Sequence, residues 1–223
     1  MSIKVRSGFA FAVLAVLAAC DSAPPPPAEQ PSPTPLPTPE VAPVTAPGQF
    51  RVHLETSRGR VVIEVHRDWA PNGVDRFYQL VEAGFYDNAR FFRVVPGFMA
   101  QFGMNGDSAT NAIWANRSIQ DDPVVQSNKR GMITFANRGI PHSRSAQLFI
   151  NLVDNPFLDP QNFAPFGQVV EGMSVVDALF GGYGEARPQG QGPSQEQITT
   201  EGNAYLEREF PRLDFIRTAR VVK

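Results

Sequence analysis

Phe91-Phe92-Arg93-Val94-Val95-Pro96-Gly97-Phe98-Met99-Ala100-Gln101 opens on a short apolar run that reads as a strand, with an arginine set inside it. Working outward, Met132 to Ala136, Gln147 to Leu152 and Phe166 to Val170 are further short apolar runs separated by turn residues, and Arg217 to Val222 reads as a final strand. Upstream, Phe50 to Thr56 and Arg60 to Val65 alternate on either side of Ser57-Arg58-Gly59, the pattern of a β-hairpin. Ala70-Pro71-Asn72-Gly73 opens a helix with proline in its first turn. Val74, Phe77, Leu80 and Val81 repeat at helical spacing, and Gly84 closes it. A second short helix is expected over Met173 to Leu179. Many strands with few helices predict a mainly β fold, a closed antiparallel barrel capped by two helices.

The 223 residues carry a formal net charge of −2 with acids and bases interspersed, which argues against nucleic acid as the main partner. No run of ~18 apolar residues occurs, so no membrane-spanning helix is expected. Cys20 is the only cysteine, which excludes an intramolecular disulfide.

Residues 1–19 read as a processing signal: Lys4 and Arg6 are followed by the short apolar run Phe9 to Leu17. That run ends in Leu17-Ala18-Ala19-Cys20, which resembles the lipobox of bacterial lipoproteins. The resemblance implies cleavage before Cys20, lipidation of that residue (palmitate among its acyl chains) and a membrane anchor. Residues 20–48 form a linker with eleven of the chain's 21 prolines between Pro24 and Pro47. So few apolar residues cannot offset ordering entropy. In polyproline II form, at ~3.1 Å per residue, the linker would reach roughly 85 Å. The folded domain is expected over residues 49–223. Signal and linker place it outside the cytoplasm, facing a periplasm. Asp21 after Cys20 favours the inner membrane over the outer, by the rule that holds in enteric bacteria.

The Phe91–Gln101 segment is followed by Gly131-Met132-Ile133-Thr134-Phe135-Ala136-Asn137, Ser145-Ala146-Gln147-Leu148-Phe149-Ile150 and Asn155-Pro156-Phe157-Leu158-Asp159. In order and spacing these resemble the signature of cyclophilin-type peptidyl-prolyl cis/trans isomerases. The hairpin, Glu82-Ala83-Gly84-Phe85-Tyr86 and Phe166-Gly167-Gln168-Val169-Val170-Glu171-Gly172-Met173 fit the same family, so the resemblance covers about residues 50 to 180. It implies an eight-stranded cyclophilin-like barrel and an isomerase acting on X–Pro bonds of exported or envelope proteins. Its partners would be proline-containing peptides and unfolded proteins, and the chain is read as a monomer.

Such chemistry breaks no covalent bond, so it calls for no nucleophile, metal or cofactor. It needs an apolar pocket for the proline ring, groups that fix the flanking peptide, and a donor aimed at the prolyl nitrogen. The resemblance assigns the donor to Arg93, oriented by Gln101. It assigns the pocket to Phe98, Met99, Phe149 and Leu158, and peptide binding to Gln101, Ala136, Asn137 and Gln147. Phe157 stands where eukaryotic members usually carry tryptophan, which keeps an apolar wall, removes an indole donor and predicts weak cyclosporin binding. Phe163 falls near a position that is often histidine. Phe102 and Leu148 replace the commoner glycine and phenylalanine. Read alone, the apolar residues would be core and Arg93 a surface arginine. Gln147, polar between Ala146 and Leu148, needs a partner in any reading.

Other readings carry less. Ser143, His142 and Asp154 contain the parts of a hydrolase triad without a Gly-x-Ser-x-Gly elbow. His53, His66 and His142 lack metal-ligand spacing, and Asp121-Asp122 with Asp154 lie in no recognisable acid-pair site. The alternatives from other classes are a non-catalytic proline-peptide-binding or chaperone module on the same scaffold, and a structural lipoprotein. Arg93 together with Gln101 argues for the enzyme. The tail departs from the minimal family ending. Gly181 to Ser194 reads as a flexible loop and Gln195 to Phe210 as a helix, a C-terminal insertion before the last strand. Tyr205, Leu206 and Phe210 are expected to pack against the barrel.

Overall fold

The computed structural model describes residues 44–222. The signal peptide, Cys20 and most of the linker lie outside the described residues. The strands are β1 (Gln49–Thr56), β2 (Arg60–His66), β3 (Arg93–Val95), β4 (Met99–Phe102), β5 (Met132–Phe135), β6 (Leu148–Asn151), β7 (Pro165–Glu171) and β8 (Ile216–Val222). They form one antiparallel sheet in the order β3-β4-β6-β5-β7-β2-β1-β8. The two end strands, β3 and β8, share no ladder. Their seam is bridged by Arg90 and Phe215, flanked by Phe91 N–H to Asp214 O (2.9 Å) and Ile216 N–H to Ala89 O (2.9 Å).

Alternation explains which side each strand buries. Phe50, Val52 and Leu54 of β1 and Val61, Ile63 and Val65 of β2 point into one core. Aromatic rings from distant elements close it: Phe77 lies 5.0 Å from Phe166, and Phe166 lies 5.2 Å from Phe135. Helix α1 (Pro71–Glu82) presents Val74, Phe77, Leu80 and Val81 to that core. Gly84, at φ +66°, follows its last turn as only a residue at ease in the left-handed region can. No side chain on the residue before α1 caps it. Asp122 does so from fifty positions away, accepting from Asn72 N–H (2.9 Å) and Gly73 N–H (2.8 Å). The same carboxylate meets the fully buried Arg144, whose Nη1 and Nη2 each lie 3.1 Å away, while Asp121 accepts from Arg144 Nε. The adjacent aspartates are therefore ion-pair partners of one buried arginine and not an acid pair.

Ala46, inside the segment read as linker, is already buried, and its N–H donates to Asp75 (2.9 Å). The sequence reading gives two capping helices. The described residues hold five α-helices: α1 and α3 (Met173–Asp177) are the two expected caps, α2 (Ser108–Ala115) is additional, and α4 (Gln195–Glu201) and α5 (Asn203–Glu209) stand where one insertion helix was expected. For α2 a capping signal was available: Asp107 accepts from Thr110 N–H (2.7 Å). The expected single helix over 195–210 is split by Gly202, at φ +62°, where a Cβ would lie 2.1 Å from Gly106 O. Tyr205, Leu206 and Phe210 enter a second apolar cluster with Ile198, Leu213, Phe92 and Met104.

Candidate active site

The β3–β4 hairpin turns at Gly97 (φ +75°) and pairs Arg93 with Gln101 and Val95 with Met99. Val94 and Ala100 face the barrel core, so strand alternation turns Arg93, Val95, Met99 and Gln101 to the opposite side. On β6, Phe149 lies directly across from Gln101. Met99, Phe149 and Leu158 form a small apolar cluster of their own, walled by Phe98, Ala136 and Phe163. Phe163 meets Phe149 edge-on at 5.6 Å. Phe157 stacks on Phe98 at 5.9 Å and remains 54% exposed. Together they line a cleft of about 560 Å³.

Leu158 and Phe157 arrive on a 3-10 turn, Pro156–Gln161, pinned from below by Asp159. Its carboxylate accepts from Ser127 Oγ (2.6 Å) and from Asn128 N–H and Nδ2 (2.9 and 2.8 Å). Burial pushes this carboxyl up, but these hydrogen bonds outweigh it and hold it below the ordinary aspartate range. Asn128 also donates to Phe163 O (2.8 Å), so one buried side chain fixes both ends of the pocket's outer wall.

A polar row runs along the cleft. Arg93 Nη1 donates to Gln101 Oε1 (2.9 Å), Gln101 Nε2 to Gln147 Oε1 (2.8 Å), and Gln147 Nε2 to Gln195 Oε1 (3.1 Å). Ala136 N–H donates to Gln147 O (2.9 Å), and Asn137 Oδ1 accepts from Gly139 N–H (2.9 Å). The structure thus brings all eleven residues named from the sequence as catalytic or substrate-binding to one cleft. It adds Gln195 and Thr199 of α4 and Ala115 of α2 to the lining. It also adds Glu185, whose carboxylate takes Arg93 Nε and Nη2, each at 2.6 Å. No sequence signal joins Glu185 to an arginine 92 positions earlier, inside a segment that reads as flexible loop.

The triad parts do not engage one another, although Ser143 also lines the cleft. Ser143 Oγ donates to Ile140 O (2.6 Å), His142 Nδ1 accepts from Asp121 N–H (3.0 Å), and Asp154 accepts from Arg130 N–H (2.8 Å). The two departures from the family pattern, Phe102 and Leu148, are cross-strand partners buried in the barrel core, a larger residue facing a smaller one.

A groove of this make-up on this barrel has known relatives. The profile of the family described as "Cyclophilin type peptidyl-prolyl cis-trans isomerase/CLD" matches residues 51–200. The chain belongs to the cyclophilin family. It is 37% identical over 138 residues to peptidyl-prolyl cis-trans isomerase cyp18 of Streptomyces antibioticus, covering 58% of this chain and 82% of that one. It is 36% identical over 137 residues to peptidyl-prolyl cis-trans isomerase B of Escherichia coli K12, covering 58% and 84%. In fold it is similar to cyclophilin AquaCyp293 from Hirschia baltica, with TM-score 0.57, 20% identity and coverage of 78% and 74%. It is also similar to a Cryptosporidium parvum cyclophilin solved in the presence of the dipeptide Ala-Pro, with TM-score 0.55, 17% identity and coverage of 78% and 99%. The protein is a cyclophilin-type peptidyl-prolyl cis-trans isomerase, EC 5.2.1.8. In this cyclophilin the family match ends within α4, and α5 lies beyond it.

Proposed function

We propose that the cyclophilin turns over X–Pro bonds of exported and envelope proteins at this cleft, with Arg93 as the catalytic donor. Rotation about the amide faces a barrier of ~18–20 kcal/mol, because resonance is lost as it twists. The prolyl nitrogen then pyramidalises and gains a lone pair that the planar amide lacks. A guanidinium hydrogen bond to that nitrogen is stronger in the twisted state, which is the differential binding that lowers a barrier. A charge-assisted bond contributes about 1.5–3 kcal/mol, roughly 10- to 150-fold in rate. The observation that carries the reading is the guanidinium fixed by Gln101 at the rim of the Met99–Phe149–Leu158 pocket. The pocket would hold the proline ring of a bound peptide, a class of ligand represented by the dipeptide in the Cryptosporidium crystal. Gln101, Ala136, Asn137 and Gln147 would hold the flanking backbone.

The lipobox-like Leu17-Ala18-Ala19-Cys20 and the proline-rich stretch after it support a lipid-anchored form facing the periplasm, and Asp21 favours the inner membrane over the outer. One clear stretch of sequence thus supports the location, and the cleft supports the chemistry.

The test is a protease-coupled isomerisation assay on an Ala-Pro peptide with the protein and its Arg93→Ala variant. A loss of at least about tenfold with peptide binding kept supports the reading. Full activity in Arg93→Ala sinks it. For the anchor, Cys20→Ala should abolish palmitate labelling and release the protein from membranes; labelling that persists would rule out Cys20.

A further inference from the structure

We propose that Glu185, in the insertion before the last strand, is a positioning residue for isomerisation that aims the Arg93 guanidinium into the cleft; this rests on Arg93 being the donor.

A guanidinium carries five N–H donors in a fixed planar fork. Glu185 takes the edge made by Nε and Nη2, at 2.6 Å each, and Gln101 takes one N–H of Nη1. One N–H remains on each Nη. The plane of the fork and the identity of its uncommitted donors are therefore set by two acceptors on opposite sides. With Gln101 alone, the fork could turn about that single bond, and a donor's contribution to a twisted-amide transition state depends on its direction. Side-on bidentate pairing removes the rotation.

The loop is built to hold Glu185. Gly192 N–H donates to Glu185 O (2.7 Å), Gly190 N–H to Ala186 O (3.2 Å) and Gln191 N–H to Tyr183 O (2.9 Å). A Cβ on Gly190 would lie 2.3 Å from Glu185 O, and one on Gly192 would lie 2.8 Å from it, so the chain closes on the Glu185 backbone only because those residues are glycines. The loop leaves α3 against β3, where a Cβ on Gly181 would lie 3.0 Å from Pro96. Tyr183 is edge-on to Phe210 at 5.1 Å, and Phe210 shares the insertion's cluster with Phe92, the neighbour of Arg93. Anchor and target are thus tied to the same short stretch of chain, and the segment read as flexible is a fixed arm.

The experiment measures kcat and KM on the Ala-Pro peptide for the whole protein and for Glu185→Ala, Glu185→Gln, Arg93→Ala and the double variant Arg93→Ala/Glu185→Ala. Circular dichroism and a thermal midpoint accompany each. Glu185→Ala should lower kcat about five- to twentyfold with KM within about twofold. Glu185→Gln, nearly the same shape with one carbonyl acceptor left, should fall between it and the native chain. The double variant should be no slower than Arg93→Ala, because Glu185 acts through that side chain. Glu185 variants as active as the native protein, or more active, beside a disabled Arg93→Ala would overturn the inference while leaving the Arg93 reading standing. A further loss in the Arg93→Ala background would overturn it too. An active Arg93→Ala removes both.

Discussion

The barrel core and the smaller cluster under the insertion are assembled on different terms. In the barrel, each strand buries alternate residues, and the aromatic contacts among Phe77, Phe135 and Phe166 join elements up to 89 positions apart. Each strand is individually amphipathic, so its buried face follows from its own period. The insertion has no such autonomy. Helices α4 and α5 have seven residues each, below the length at which an isolated helix holds in water. Their buried residues Ile198, Tyr205 and Leu206 find partners in Phe92 and Met104, which come from the barrel's own chain segments. The insertion is therefore a rider whose order is supplied by the wall it sits on, and that wall carries Arg93. Asp214 joins the two regions: its carboxylate accepts from Ser57 Oγ (2.7 Å), Arg58 Nε (2.8 Å) and Phe180 N–H (2.7 Å) at the point where the insertion re-enters the barrel.

The comparison breaks if both regions fail together. Phe166→Ala, which removes a ring with no exposed surface, should cost about 3–5 kcal/mol of global stability by urea unfolding. Leu206→Ala should cost the global transition less, about 2 kcal/mol, and speed hydrogen exchange in the amides of 183–213 before those of β1 and β2. Uniform acceleration across the chain would show that the insertion is part of one cooperative unit.

Acid sharpens the same contrast from the barrel side. Asp87 ties β8 by accepting from Ala219 N–H and pairing with Arg220, and Asp159 ties the pocket turn. Burial raises both carboxyls, and hydrogen bonds, with Arg220 for Asp87, pull both below the ordinary value. Their folded pKa values lie below the unfolded ones, so the stability they contribute is present above about pH 4 and is lost as pH falls through the folded values. The urea midpoint should drop between about pH 5 and pH 3, and Asp159→Asn should shrink that drop while lowering stability at pH 7. A midpoint flat across this interval would remove these carboxylates from the account.

The smallest effect expected is the most local. Gly190→Ala crowds the Glu185 backbone and should lower activity about two- to fivefold, with the thermal midpoint down by only a few degrees. Unchanged activity would mean that the arm tolerates movement without loosening Arg93.

The sequence by itself determined the hairpin, α1, the strand runs and the family. The residues that meet at the cleft were legible through the order of the family's motifs; by strand period alone the apolar ones read as core and Arg93 as a surface arginine. Phe157 and Phe163 were the least legible of them, since each departs from the residue the family usually carries there. Three features were decided by tertiary structure alone. Asp122 caps α1 from a distant loop while holding buried Arg144. The barrel seam closes through Arg90 and Phe215, outside any ladder. Glu185 reaches Arg93 from a glycine-rich arm. In each case the partners are separated by scores of residues and joined by isolated bonds, from side chains at Asp122 and Glu185 and from the backbone at the seam, and such bonds leave no periodicity in the chain for a reader to find.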